Sequence, residues 1–368
     1  MAERLHEAPV ADVAPADTAP MIGRATLRRE DPRFLTGTGC FIDDMKIERM
    51  AHAVIVRSPI AHGRIQSIDF EAARALPGVL DAFAFADIAT HATPIPVRVG
   101  PLPGFDRFRQ LPLASGVVRF VGEPVAVIVA ESRYLAEDAA EQVFVDYEAF
   151  DAVVDVHRAL EGTTIIHADN ATNLASHYTV SKGEPERVFR EAAYTRKETF
   201  RCHRHSAMPL ETRGLLAHWL PDAQIMRVWG ATKVPFANRR ILAGMLKLPE
   251  RQVELLEVDV GGSFGVRGDF YPEDFLIPFA SMRLGRPVKW IEDRREHMMA
   301  TNHAREMECE LEIAVDADGR MLGLRARLLA DLGAYVRTNG GVSPAKAAQL
   351  LPGPYRIGHY ACEVNALV

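Results

Sequence analysis

Val121-Gly122-Glu123-Pro124-Val125-Ala126-Val127-Ile128-Val129-Ala130 is the stretch whose reading decides the fold. Every side chain over 125–130 is apolar, so the alternation of a half-wet strand is missing, and the run is too short for a helix. That is the pattern of a strand covered on both faces. Pro124 marks its start. Downstream, Ser132 is placed to cap a helix with Leu135, Ala136, Ala139 and Val143 on one side, and 143–147 reads as the next strand. Upstream, 51–56 is strand-like, Asp69 can cap a short helix that Pro77-Gly78 ends, and 79–85 forms a second strand. Strands and helices mixed in this way predict an α+β domain over 22–165.

The segment 150–182 is looser, with Gly162, Asn170 and Asn173, and reads as a link to a second mixed region. There Pro235 suits a helix first turn, with Ile241, Leu242, Met245 and Leu246 along one face. A strand over 253–260 runs directly into Gly261-Gly262-Ser263-Phe264-Gly265. Pro272-Glu273-Asp274 opens a helix that Gly285 closes, and Pro278 inside it predicts a kink or an early break. Beyond, Met307, Cys309, Leu311, Ile313 and Val315 alternate with Glu306, Glu308, Glu310 and Glu312, which is period two with one face buried and one wet. Asp316-Ala317-Asp318-Gly319 supplies the turn, and the return strand brings Arg325 and Arg327 opposite the glutamates.

The 368 residues exceed what one core usually organises, so two domains are expected. With 48% hydrophobic and 25% charged residues the composition is that of an ordinary globular chain, and a net charge of -6 gives it no means of neutralising nucleic-acid phosphates. Cys40, Cys202, Cys309 and Cys362 are scattered, which argues against a zinc site or an iron–sulfur cluster held by this chain. They read as thiols of a reducing compartment. The longest apolar run is too short to span a bilayer. Residues 1–21 lack the basic start and apolar core of a secretory signal and read as a disordered tail, so a cytoplasmic protein is expected.

Few groups invite a chemical reading. Clustered glycines at 261–265 let backbone N–H groups converge on anionic oxygens, but the pattern is neither a dinucleotide fingerprint nor a P-loop. On chemistry alone a turn is its commoner meaning. Cys202-His203-Arg204-His205 contains metal-ligand types with no second cluster at a ligand spacing, so packing histidines are preferred and no metal ligand is assigned. The acid pairs Asp43-Asp44 and Glu292-Asp293 read as solvated loop residues, with nothing to suggest the desolvation that tunes a carboxylate. Ser206 lacks a nucleophile elbow.

Several ordered segments together resemble the molybdopterin-binding large subunit of the xanthine dehydrogenase, aldehyde oxidase and aerobic carbon monoxide dehydrogenase family. They are Ile22-Gly23-Arg24, Arg33-Phe34-Leu35-Thr36-Gly37-Thr38-Gly39 with Phe41-Ile42-Asp43-Asp44, and Val121-Gly122-Glu123-Pro124-Val125-Ala126. Pro209-Leu210-Glu211-Thr212-Arg213-Gly214, Val258-Asp259-Val260 with the glycine–phenylalanine loop, Gly285-Arg286-Pro287-Val288-Lys289-Trp290 and Asp331-Leu332-Gly333-Ala334-Tyr335 continue the match. The resemblance implies an α/β-hammerhead domain over 22–165, then over 176–368 the first, incomplete part of a mixed α/β cofactor-binding domain. It implies a molybdenum–molybdopterin cofactor in its cytosine dinucleotide form, contacted by Gly261, Gly262, Ser263, Phe264 and Gly265. Lys233, in Trp229-Gly230-Ala231-Thr232-Lys233, stands where the family usually carries a glutamine near the metal; it offers charge and donors but no acceptor. Arg267-Gly268 stands where purine-oxidising members carry an acid, which disfavours a purine substrate.

The family's large subunit runs on past the length of this chain, and the continuation carries its catalytic glutamate, so no catalytic residue is assigned here. The leading expectation is one part of a molybdenum hydroxylase acting on a small molecule with oxygen from water. A second molybdopterin-binding chain would complete it, with FAD and [2Fe–2S] subunits taking the electrons. The competing expectation is a non-catalytic truncated homologue. A nucleotide-dependent dehydrogenase is disfavoured by the missing fingerprint.

Overall fold

The computed structural model describes residues 22–230 and 232–368, and the tail expected over 1–21 lies outside the described residues. The described residues fall into two units that divide between Cys40 and Phe41. In the first, the described residues hold one short helix, Asp31–Leu35, with a proline in its first turn. The rest concerns the second unit.

The strand expected at 125–130 organises it. It runs Pro124–Ala130, with all seven residues buried. Its two faces serve different cores. Val127 and Val129 pack with Phe83, Trp219, Phe275 and Trp290, whereas Ala126 and Ile128 pack with Phe70, Ala73 and Ala139. An apolar residue at every position is what such a strand requires. Ser132 caps the following helix, Arg133–Glu141, its hydroxyl accepting from the Leu135 N–H at 3.3 Å.

Seven strands make the main sheet, in the order Val253–Leu256, Ile225–Trp229, Gly214–Leu220, Val288–Ile291, Ala51–Arg57, Pro124–Ala130 and Val79–Ala84. Ala51–Arg57 lies parallel to Val288–Ile291, with Ala51 opposite Val288. One sheet therefore takes strands from both sides of the link expected at 150–182. A three-stranded sheet orders Val117–Val118, Gly63–Asp69 and Phe144–Ala149. A five-stranded sheet orders Leu174–Lys182, His359–Leu367, Met321–Asp331, Met307–Val315 and Tyr194–Cys202. The mixed α and β class expected from the sequence is the class observed.

The expected hairpin forms, with Glu312 opposite Arg325 and joined to it at 2.6 Å. Its glutamates are less wet than expected. The neighbouring strand Tyr194–Cys202 brings Lys197 to Glu310 at 2.6 Å and Arg201 to Glu308 at 2.7 Å. That strand is exposed at all nine residues, and its charges discourage further edge pairing.

Three local expectations need correction. The strand expected over 253–260 stops at Leu256, because its partner's last paired residue is Trp229, opposite Leu256. Helix Pro272–Leu284 continues past Pro278, so the early break is absent. Phe275, Leu276, Ile277, Phe279 and Ala280 are all buried around it, and packing of that density outweighs one lost backbone bond. The link is also not loose. Asp155 caps helix Val156–Glu161, left-handed Gly162 ends it, and fully buried Asn173 accepts from the Ile166 N–H and donates to the Ala159 and Thr164 carbonyls. The polar residues that read as flexibility are the ones that fasten the turn.

A chain of buried charges crosses the main sheet. Arg57 meets Glu296 at 2.9 Å and Glu273 at 2.8 Å. Arg213 meets Glu273 at 3.1 Å and Glu292 at 2.5 Å, and His297 Nδ1 lies 2.8 Å from the other Glu292 oxygen. The Arg213 guanidinium stacks 3.8 Å from the Tyr271 ring centre. The expectation that Glu292-Asp293 is a solvated pair fails for Glu292, which is 1% exposed. Burial pushes its carboxyl up, but the Arg213 charge and the hydrogen bonds from His297 and Arg213 overcome this and hold it at about 2. Asp293 caps helix Arg294–Ala300. Replacing Arg213 with Ala leaves two acids buried without a shared cation and should cost about 3–5 kcal/mol in urea unfolding at pH 7. Because the Glu292 carboxyl is depressed, its contribution is present above roughly pH 4.5 and lost as pH falls towards 2. The gap between wild type and Arg213→Ala should close over that window, and a constant gap would count against the assignment.

Candidate cofactor site

The main-sheet strand that ends at Leu256 delivers the chain to the glycine loop. Gly261 is pressed against Glu211: its N–H donates to the Glu211 Oε2 at 2.8 Å, and the Glu211 N–H returns a bond to its carbonyl at 3.2 Å. A Cβ at Gly261 would collide with that of Glu211. Gly262 and Gly265 have φ of +107° and +101°, a region open to glycine. Phe264 has φ +50° and its side chain is 79% exposed. A strained backbone that presents an aromatic ring to solvent is the kind of outlier that marks functional loops.

Arg267 locks this shape. Its Nε donates to the Gly262 carbonyl at 2.9 Å, and its Nη2 donates to the carbonyls of Glu211 and Thr212 and to the Glu211 carboxylate, all within 3.0 Å. The side chain is buried and does not line the neighbouring cleft, so Arg267 braces the loop and does not occupy the place of a substrate-facing residue. With Arg267 in place, the N–H groups of Gly262, Ser263, Phe264 and Gly265 have no protein acceptor among the described residues. Four successive donors are left on a rigid loop.

The last two of those residues, Phe264 and Gly265, line a cleft of about 970 Å³, a size that suits a substantial ligand. Phe264, Gly265 and Lys233 line one side of it, and Met299, Thr301, Asp331 and Tyr335 another. The Lys233 N–H is tied to the Arg267 carbonyl at 3.1 Å, and its exposed stem passes beside Gly268. The structure therefore brings Lys233 and the loop together on one cleft. Cys202, His203 and His205 gather no further ligand types: His205 pairs in a short ladder with Ala304, and Arg204 is bonded to Glu306 and Asp331. Among the described residues no group of three His, Cys, Asp or Glu is placed to hold a metal directly, and no helix is long and apolar enough to cross a membrane.

Residues 166–368 match the family of the molybdopterin cofactor-binding domain, and residues 36–151 match the aldehyde oxidase and xanthine dehydrogenase a/b hammerhead domain. The chain belongs to the xanthine dehydrogenase and aldehyde oxidase family of molybdopterin-binding subunits. It is 37% identical to the gamma subunit of the 6-hydroxypseudooxynicotine dehydrogenase complex of Paenarthrobacter nicotinovorans, over 94% of this chain and 44% of that subunit. Quinoline 2-oxidoreductase from Pseudomonas putida 86 superposes with a TM-score of 0.89 at 40% identity, over 93% of this chain and 44% of that one. The chain thus spans less than half the length of these relatives. By contrast, it spans 76% of the nicotinate dehydrogenase large molybdopterin subunit of Eubacterium barkeri, at 25% identity over 91% of this chain.

Sequence reasoning singled out the loop and Lys233, which the structure brings onto one cleft, but missed their supports. Glu211 and Arg267 are 56 residues apart, and nothing in either local pattern announces the pair. Glu123, quoted above only for its resemblance, is also part of the cleft's framework. It is 1% exposed and accepts from the Tyr335 hydroxyl and the Arg119 N–H, both at 2.5 Å. Burial pushes its carboxyl up to about 7 in spite of those bonds. A raised carboxyl binds its proton more tightly when folded, so its contribution falls as pH climbs from roughly 4.5 to 7. Glu123→Gln should flatten that part of the pH profile of the urea midpoint; an unaltered slope would show that Glu123 is already ionised.

Proposed function

We propose that this chain is the N-terminal portion of a molybdenum hydroxylase large subunit, which hydroxylates or oxidises a small molecule with oxygen drawn from water. Gly261 to Gly265 are its share of the cofactor site, and Lys233 borders the same space. The observation that carries this is the run of free N–H groups at Gly262, Ser263, Phe264 and Gly265, held open by Arg267 and Glu211 and ending in the two residues, Phe264 and Gly265, that line a large cleft. Such donors fit a group rich in anionic and acceptor atoms, and a Cβ at Gly261 would displace the loop from its clamp. When bound, the molybdopterin cofactor supplies the redox chemistry and the activation of water. The chain's own part is positional: Arg267 fixes the loop, Gly262 and Gly265 supply its left-handed turns, and Phe264 presents an apolar face to the cleft.

In this reading a second molybdopterin-binding chain completes the site. The large share of the Eubacterium barkeri subunit that this chain spans supports a division of that kind. The exposure of Phe264 and of Leu210, which is 94% exposed beside the loop, supports a covering partner. FAD and [2Fe–2S] subunits would receive the electrons, the cofactor would carry the cytosine dinucleotide, and the assembly would be cytoplasmic. The ranges 36–151 and 166–368 matched by the two families support domains at 22–165 and 176–368.

Expression of the chain alone and with its completing polypeptide, followed by metal and pterin analysis, tests the reading. Molybdenum should reach about one per chain only in co-expression. Stoichiometric metal on the isolated chain would contradict the need for a partner, and metal in neither sample would favour a non-catalytic homologue.

A further inference from the structure

The cleft beside the glycine loop carries a charge imbalance that holding the loop does not explain. Arg204 is neutralised by Glu306 and by Asp331, the latter at 2.8 Å. The other cations of the lining are not. Lys233 and Arg305 have no carboxylate within ion-pair distance among the described residues, and both are exposed. Arg98 donates to the Gly268 carbonyl at 2.7 Å and to the amide oxygens of Asn339 and Asn238 at 3.0 and 3.4 Å. Arg337 donates to the Gln110 amide oxygen and to the Phe270 carbonyl. Every one of these acceptors is neutral. The only other acid of the lining is Asp269, which is 8% exposed and bonded by Asn339, and burial pushes its carboxyl towards the uncharged form. Across the lining, Arg98, Arg204, Lys233, Arg305 and Arg337 face Glu306, Asp331 and Asp269, an excess of positive charge, and four of those cations have no carboxylate bonded to them directly.

The four also differ in kind. Arg98 and Arg337 are fixed by neutral bonds and set a background potential. Lys233 is exposed, and it lines the cleft together with the exposed ring of Phe264. An aromatic face and an unpaired ammonium on one cleft suit a planar molecule with an anionic substituent. We infer that this cleft selects a small aromatic carboxylate as its substrate, and that Lys233 is the residue that engages the carboxylate. The inference rests on the functional reading above and gives it a substrate class. The cofactor's own phosphates are a second source of the same anionic chemistry, so the test must separate the two.

Pyridine-3-carboxylate and pyridine-3-carboxamide form a matched pair that differs in charge. Their binding to the assembled complex is measured by calorimetry in wild type, Lys233→Gln and Lys233→Arg, with molybdenum and pterin content determined for each. Wild type should bind the carboxylate about tenfold more tightly than the amide, Lys233→Arg should keep most of that preference, and Lys233→Gln should lose it without loss of cofactor. Where turnover is seen, the same split should appear in kcat/KM for the two ligands. Equal affinity for the two ligands in wild type overturns the proposal. So does loss of molybdenum or pterin from Lys233→Gln, which would assign the charge to the cofactor. If the complex carries no molybdenum, the functional reading fails, while calorimetry on the metal-free complex still decides whether the cleft prefers the anion.

Discussion

Everything that positions the site hangs on the buried charges running from Glu296 through Arg57, Glu273 and Arg213 to Glu292, whose carboxylate also lies 2.8 Å from His297 Nδ1. Removing ions from water is costly, and such a chain is tolerated only when each charge finds an opposite neighbour in good geometry. Here each does. The result is an arrangement with few alternatives: strand Ala51–Arg57, helix Pro272–Leu284 and strand Val288–Ile291 meet in one register, because any other would bury an unpaired charge. Glu211 lies two residues before Arg213, and Thr212 between them donates to the Glu292 carbonyl at 2.5 Å. The segment that clamps the glycine loop is therefore anchored in the least negotiable part of the core.

That anchoring explains how the loop keeps an unfavourable shape. Phe264 in a left-handed conformation and four unbonded N–H groups would relax in an isolated peptide. Arg267 prevents it by tying the loop carbonyl at Gly262 to the Glu211–Thr212 backbone. The strain sits on the cleft side, and the bonds that hold it sit on the core side.

Local features of the fold were legible in the sequence because they are written in short-range patterns. The apolar run at 125–130, the alternation at 307–315 and the proline and glycine boundaries of helix Pro272–Leu284 each follow from the physics of neighbouring residues. The loop and Lys233 were found because they lie beside recognisable glycine and tryptophan positions. Illegible features depended on distance along the chain. Glu292 read as a solvated acid because its partner Arg213 is 79 residues away, and Asn173 read as a loop residue because its three bonds run to backbone groups that only the folded turn brings together. The early break allowed at Pro278 fails for the same reason: the packing around the helix lies outside its local pattern.

The seam between Ala51–Arg57 and Val288–Ile291 also sets a timetable. Arg57 and its partner Glu273 are separated by 216 residues, and a ribosome adds roughly 5–20 residues each second. The first strand therefore leaves the tunnel some tens of seconds before the residues that complete its sheet exist. During that interval strand Ala51–Arg57 lacks its parallel neighbour Val288–Ile291, and that edge of the main sheet is an open template. The main sheet is complete only when strands from both halves of the chain have been made. For such a chain, the speed of translation and the supply of chaperones are as much a part of building the site as the residues that line it.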